Sequence, residues 1–132
     1  MNEPKRKRVL VVEDTEAVQL MIRRWISLEG YEVDLVSTGQ EALERIEVLA
    51  PDLILLDVMM PGINGYAVCR KLRQNERTKN TPIIIVTALP AARDSDEGRL
   101  SGANEVMVKP LDGDELVKKV RSYLGSVFSR PT

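Results

Sequence analysis

The chain has 132 residues, 43% hydrophobic and 30% charged, which fits one globular domain able to bury a core without a staple. A net charge of −1 excludes a global field for nucleic acid or membrane, and the single cysteine, Cys69, excludes an internal disulfide framework and suits a reducing compartment. The absence of histidine removes His-based triads, His-containing zinc sites and phosphohistidine chemistry on this chain.

In chain order, the Val-rich run Arg8–Val12 predicts a first strand. Thr15–Glu29 follows with Val18, Met21, Ile22, Trp25 and Ile26 at helical spacing, and Gly30 ends it. Tyr31–Val36 alternates as a second strand, and Gly39–Leu49 carries Ala42, Leu43, Ile46 and Leu49 on one helical face. Leu53–Leu56 is wholly apolar, as in a strand buried on both faces. Tyr66–Arg73 gives a third helix with Val68, Cys69 and Leu72, and Pro82–Val86 a β-branched fourth strand. Ala91–Leu100 is a weaker helix containing Gly98, Glu105–Val108 a fifth strand, and Asp112–Leu124 a last helix with Leu116, Val117, Val120 and Leu124 inward.

This β/α alternation predicts an α/β fold: a doubly wound, five-stranded parallel sheet of order 2-1-3-4-5 with five helices on both faces. Residues 8–125 form the domain, with 1–7 and 126–132 as flexible flanks. No apolar run approaches the roughly 20 residues that span a bilayer. No signal-peptide core follows the basic Met1–Arg8, so a cytoplasmic protein is expected. The run Lys5-Arg6-Lys7-Arg8 reads as a solvated flank rather than a nucleic-acid contact, and Cys69 and Trp25 as packing residues.

In such a sheet the C-terminal strand ends converge on one edge, where ligands bind. This chain places Glu13-Asp14 after the first strand, Asp57 after the third, Thr87-Ala88 after the fourth and Lys109-Pro110 after the fifth. Three carboxylates against one ammonium leave the edge net negative, which invites a divalent cation with oxygen ligands such as magnesium. Asp57 is then a candidate nucleophile toward a phosphoryl group, with Lys109 and Thr87 positioned to meet its oxygens.

These residues, together with Met60-Pro61-Gly62 and Gly65, resemble the receiver domain of two-component response regulators over about residues 7–125. The resemblance implies that Asp57 accepts phosphate from a partner histidine kinase or phosphotransfer protein. It implies that Glu13, Asp14, Asp57 and the Met59 backbone carbonyl hold Mg2+, that Thr87 and Lys109 sense the phosphoryl group, and that Lys109–Pro110 is cis. Such a domain is a switch with slow self-chemistry, not a turnover enzyme.

The pattern departs from the family in three ways. Val106 stands where an aromatic residue is common, three positions before Lys109. Met59 and Leu89, two positions after Asp57 and Thr87, are apolar where the family tunes the attacking water, which implies slow hydrolysis. Glu13 replaces the more common aspartate. The segment Leu89–Asn104, with Gly98, Gly102, Asp94, Asp96 and Glu97, reads as a weakly held, bistable element that passes the signal outward together with Val106 and Asp112–Leu124. The output partner is a separate protein or an attached domain. A homodimer through the Leu89–Leu124 face is open, with Glu105 and Lys118-Lys119-Arg121 as the opposing charges. Direct nucleic-acid binding and membrane contact are not expected. The rival readings are a magnesium-dependent aspartyl phosphatase, which would want an acid at Met59; a flavin or nucleotide carrier, which would want a phosphate-cradling loop at Glu13–Glu16; and a degenerate receiver acting as a scaffold.

Overall fold

Apolar runs without polar alternation become strands covered on both sides. The structure, a computed structural model, describes residues 6–59, 64–88 and 96–125. Its elements are β1 (Arg8–Val12), α1 (Glu16–Leu28), β2 (Glu32–Val36), α2 (Gly39–Leu49), β3 (Leu53–Asp57), α3 (Gly65–Gln74), β4 (Ile83–Thr87), α4 (Glu97–Leu100), β5 (Glu105–Val108) and α5 (Gly113–Leu124). All strand pairs are parallel, in the order β2-β1-β3-β4-β5. The predicted elements match these within one or two residues, except that Ala91–Ser95 of the fourth helix lies outside the described residues, as do Met60-Pro61-Gly62 and Leu89.

The side-chain alternation of the strands explains the two layers. Leu10, Val12, Ile54, Leu56, Ile83 and Ile85 point to one face and pack with Ala42, Ile46 and Leu49 of α2 and Val68, Cys69 and Leu72 of α3. Val9, Val11, Leu53, Leu55, Ile84 and Met107 point to the other and pack with Ile22 and Ile26 of α1 and Leu116 and Val120 of α5. Each fully buried Leu or Ile contributes roughly 1.5–3 kcal/mol. β3 and β4 are buried at every residue, which is why their sequences show no polar alternation.

Local chemistry starts the helices. Thr38 accepts from the Glu41 N–H at 3.0 Å while Glu41 accepts from the Ser37 N–H at 3.0 Å, a reciprocal cap on α2. Asn64 caps α3 through the Tyr66 N–H at 2.7 Å. Asp112 caps α5 through the N–H groups of Asp114 and Glu115, at 2.9 and 3.2 Å. Trp25 of α1 lies so close to Gly113 that a Cβ there would fall 2.6 Å from its Cε2, which fixes α1 against the start of α5.

Several charges are spent within the chain. Arg6 and Arg8 pair with Glu32 and Asp34 of β2, so the described part of the basic N-terminal run serves the sheet edge. Of the charges expected to face a second copy, Lys119 lies 2.6 Å from Glu105, and Arg121 pairs with Glu29 at the end of α1. Packing of α5 beside α1 brings Arg121 to Glu29 within one chain.

Arg73, at the end of α3, ties three segments together. Its Nε donates to the Gly102 carbonyl at 2.8 Å, Nη1 to the carbonyls of Thr78 and Thr81 at 3.0 and 2.6 Å, and Nη2 to Asn104 Oδ1 at 2.8 Å. Asn104 Oδ1 also accepts from the Ile83 N–H at 2.8 Å, so the turn before β5 is joined to the start of β4. Gly102, at φ +102°, could not carry a side chain here, because a Cβ would lie 2.6 Å from Arg73 Cγ. Arg73→Ala leaves several carbonyls without this donor and should lower stability by roughly 2–4 kcal/mol in urea unfolding. Arg73→Lys should recover less than half of the loss, since an ammonium cannot span the fork; full recovery by lysine would show that charge alone matters there.

Candidate functional site

Strand register brings the predicted polar residues to one edge. Val12 pairs with Leu56, Asp57 with Val86 and Thr87 with Val108, so Glu13, Asp57, Thr87 and Lys109 all leave the sheet within about one residue of each other. The Glu13 N–H donates to the Val36 carbonyl at 3.1 Å, prolonging the β1 ladder by one step. The Gln19 side-chain amide of α1 donates to the Glu13 carbonyl, and the Thr15 N–H donates to Glu13 Oε1 at 3.2 Å. The turn from β1 into α1 is thereby fixed with the Glu13 side chain directed inward.

Glu13 is 1% and Asp57 3% exposed, whereas Asp14 stands open to solvent. Two adjacent buried carboxylates need a counter-charge, and Lys109 supplies it: Nζ lies 3.0 Å from Glu13 Oε2 and 3.1 Å from Asp57 Oδ2. Asp57 Oδ1 accepts from the Met59 N–H at 2.8 Å, so both Asp57 oxygens are held. The Lys109 N–H donates to the Thr87 carbonyl at 2.7 Å, and the following peptide to Pro110 is cis, as expected. Thr87 is fully buried at the end of β4.

Burial, and then the hydrogen bond to Asp57, push the Glu13 carboxyl above its ordinary value, with Lys109 opposing. Burial draws the Lys109 ammonium down, but Glu13 and Asp57 more than compensate and hold it above its ordinary value. The edge therefore keeps its cation and resists its full complement of negative charge. One oxygen from each of Glu13, Asp14 and Asp57 lies within 4.8 Å of the others, a hard-donor set suited to a divalent cation such as magnesium.

Two supports were not legible as site residues, and a third, Gly65, was legible without its reason. Gln19 anchors the β1–α1 turn, yet a polar residue within a helix carries no periodic signal. Arg73 works through backbone carbonyls, which sequence does not display. Gly65 sits so close to Val58 that a Cβ there would lie 2.4 Å from Val58 Cα, which sets the start of α3 directly against the residue after Asp57. Gly65 belonged to the quoted motif, but its reason is this approach.

The family model described as the response regulator receiver domain matches residues 9–121. The chain belongs to this receiver domain family. It is 39% identical over 117 residues to the phosphate regulon transcriptional regulatory protein PhoB of Rhizobium meliloti, covering 89% of this chain and 52% of that protein. It is 42% identical over 115 residues to the response regulator PleD of Caulobacter vibrioides, covering 87% of this chain and 25% of that one. The receiver thus spans from a quarter to about half of the length of these relatives. Among solved structures it is similar to the Vibrio cholerae chemotaxis protein CheY4, with a TM-score of 0.85 and 30% identity over 91% of this chain and 100% of that one. It is also similar to the receiver domain of the Pseudomonas aeruginosa sensor histidine kinase PA1611, a structure with magnesium coordinated in its active-site cleft. There the TM-score is 0.83, with 31% identity over 92% of this chain and 100% of that one.

As a receiver, the chain is a signalling domain of the two-component phosphorelay class, and its fold is the parallel 2-1-3-4-5 sheet expected from the sequence. No helix among the described residues is long and apolar enough to cross a membrane. The charge excess at the edge has a measurable consequence. Asp57→Asn removes one of three clustered carboxylates and should raise unfolding stability on the order of 1 kcal/mol without divalent cation. A lower urea midpoint for the variant would mean that pairing with Lys109 outweighs the repulsion.

Proposed function

We propose that Asp57 is the phosphoacceptor of a magnesium-dependent signalling switch, served by Glu13, Asp14, Thr87 and Lys109. The observation that carries this is the placement of Lys109 between the buried carboxylates of Glu13 and Asp57, with Asp14 beside them. Glu13, Asp14, Asp57 and the Met59 backbone carbonyl would hold Mg2+. Once bound, the cation supplies the positive charge that lets a phosphoryl dianion approach an acidic pocket.

In the transfer, an Asp57 carboxylate oxygen forms a bond to phosphorus. The bond from phosphorus to the donor imidazole nitrogen breaks, and its electron pair returns to the ring. Lys109 then has one carboxylate fewer to neutralise and follows the new phosphoryl oxygens. Thr87, on the neighbouring strand end, offers a hydroxyl to the same group. The donor is a histidine kinase or a histidine phosphotransfer protein, since this chain has no histidine of its own.

Residues 8–125 make up the receiver unit in this reading, and the output belongs to an attached domain or a separate protein. Relatives named as transcriptional regulators support an attached output, because the receiver covers only 52% of PhoB and 48% of the DNA-binding regulator RpaA of Synechocystis. The phosphatase reading is less favoured, because Met59 stands where such an enzyme would want an acid. The carrier reading meets a wall of carboxylates at Glu13-Asp14 where it would want phosphate-cradling amides. The intact acid set with Lys109 likewise weighs against a degenerate scaffold.

Intact mass after incubation with acetyl phosphate and magnesium tests the assignment. Wild type should gain one phosphoryl group, and chelation or Asp57→Asn should abolish the gain. Unchanged labelling of the variant would move the acceptor elsewhere. A second outcome concerns lifetime. Met59 is 53% exposed beside Asp57, placing an apolar side chain where water must approach. Met59→Lys should shorten the phosphoryl half-life. An unchanged half-life would show that Met59 does not govern the attacking water.

A further inference from the structure

We infer that Tyr66 is the positioning residue that couples Asp57 to α4 in this chain, an inference that rests on the phosphoacceptor reading above. Tyr66 occupies the first turn of α3, and two contacts fix that turn to the site. The Asn64 side chain holds the Tyr66 N–H at 2.7 Å. Gly65 lies against Val58, whose Cα would be 2.4 Å from a Cβ on the glycine, so the turn cannot stay in place if the chain at Val58 shifts. Val58 is the covalent neighbour of Asp57, and its N–H donates to the Val86 carbonyl at 3.3 Å, between the ends of β3 and β4.

The other side of Tyr66 faces Gly98 of α4. A Cβ built on Gly98 would lie 2.8 Å from Val106 Cγ2, 3.8 Å from Ile85 Cδ1 and 3.9 Å from Tyr66 Cε1. Gly98 is buried at this junction, and Tyr66 and Val106 both pack against the same core cluster as Ile85. Burial, and then the nearby Glu97 carboxylate, push the Tyr66 hydroxyl above its ordinary value. Tyr66 is the aromatic side chain at this junction among the described residues, and it reaches it from α3, not from β5.

The arrangement is mechanical. Close-packed interiors respond to small shifts by repacking, not by compressing. A displacement of the Asp57–Val58 segment moves Gly65, and Tyr66 moves with it against the smallest residue of α4. Gly98 leaves α4 no side chain of its own to absorb the motion. Tyr66 touches no reacting atom in this scheme; it sets where α4 rests.

The test uses beryllofluoride with magnesium as the phosphoryl mimic on the full chain, reading amide hydrogen exchange at residues 97–104. Wild type should change its exchange there when the mimic binds. Tyr66→Leu should still bind the mimic but lose most of that change, a drop of roughly 2- to 30-fold in coupling. Tyr66→Phe should retain it. Tyr66→Met serves as a second ring-free variant if the leucine variant does not fold. A full exchange response in a folded leucine or methionine variant would overturn the inference, as would mimic binding to wild type with no change at 97–104. Failure of wild type to bind the mimic at all would instead overturn the phosphoacceptor reading, and this inference with it.

Discussion

The ammonium of Lys109, between the carboxylates of Glu13 and Asp57, is the constraint on which the functional edge depends. Carboxylates as buried as these are costly unless paired, and two of them would repel each other without a shared cation. Holding Lys109 there requires β5 to end level with β1 and β3, which the parallel register provides. The pairing is also incomplete. Three carboxylates face one ammonium, and the raised Glu13 carboxyl records the remaining excess. Such an excess of hard oxygen donors suits a divalent cation.

The opposite edge of the sheet is built on a different rule. Arg73 is also a desolvated cation, but the groups around it are backbone carbonyls and the Asn104 amide oxygen. Those acceptors are neutral dipoles, so the clamp does not respond to charge arriving at Asp57. It joins the end of α3, the start of β4 and the turn after α4 into one unit. α4 thus ends in a turn held by Arg73, while its Gly98 faces Tyr66 and Val106.

Much of this was legible in the residues, for reasons that differ by element. β3 and β4 were readable because burial on both faces leaves no polar position, and a wholly apolar run of strand length has few other uses. Glu13, Asp57, Thr87 and Lys109 stood out because each polar residue ends an apolar run. Their meeting at one edge followed from the parallel topology alone. That Lys119 lies over Glu105 was not legible, because sequence separation hides a contact made across the β5–α5 connection. The Arg73 clamp and the Gly65–Val58 contact stayed hidden for a related reason. Both depend on backbone atoms, which have the same chemistry at every position and acquire meaning only in three dimensions.

The missing aromatic at Val106 also has a packing explanation. A Cβ on Gly98 would already come within 2.8 Å of Val106 Cγ2, so α4 and β5 approach as closely as a glycine and a branched three-carbon side chain permit. An aromatic ring directed from position 106 into that contact would need α4 lifted away or its own ring turned outward. Here the approach is kept, and the ring at the junction comes from Tyr66 on α3 instead. Gly98 and Val106 are therefore matched to each other, and enlarging either one alone drives a wedge under α4. The small residue at 106 is thus part of how this receiver seats its fourth helix, and the aromatic ring at the junction comes from the helix that follows β3.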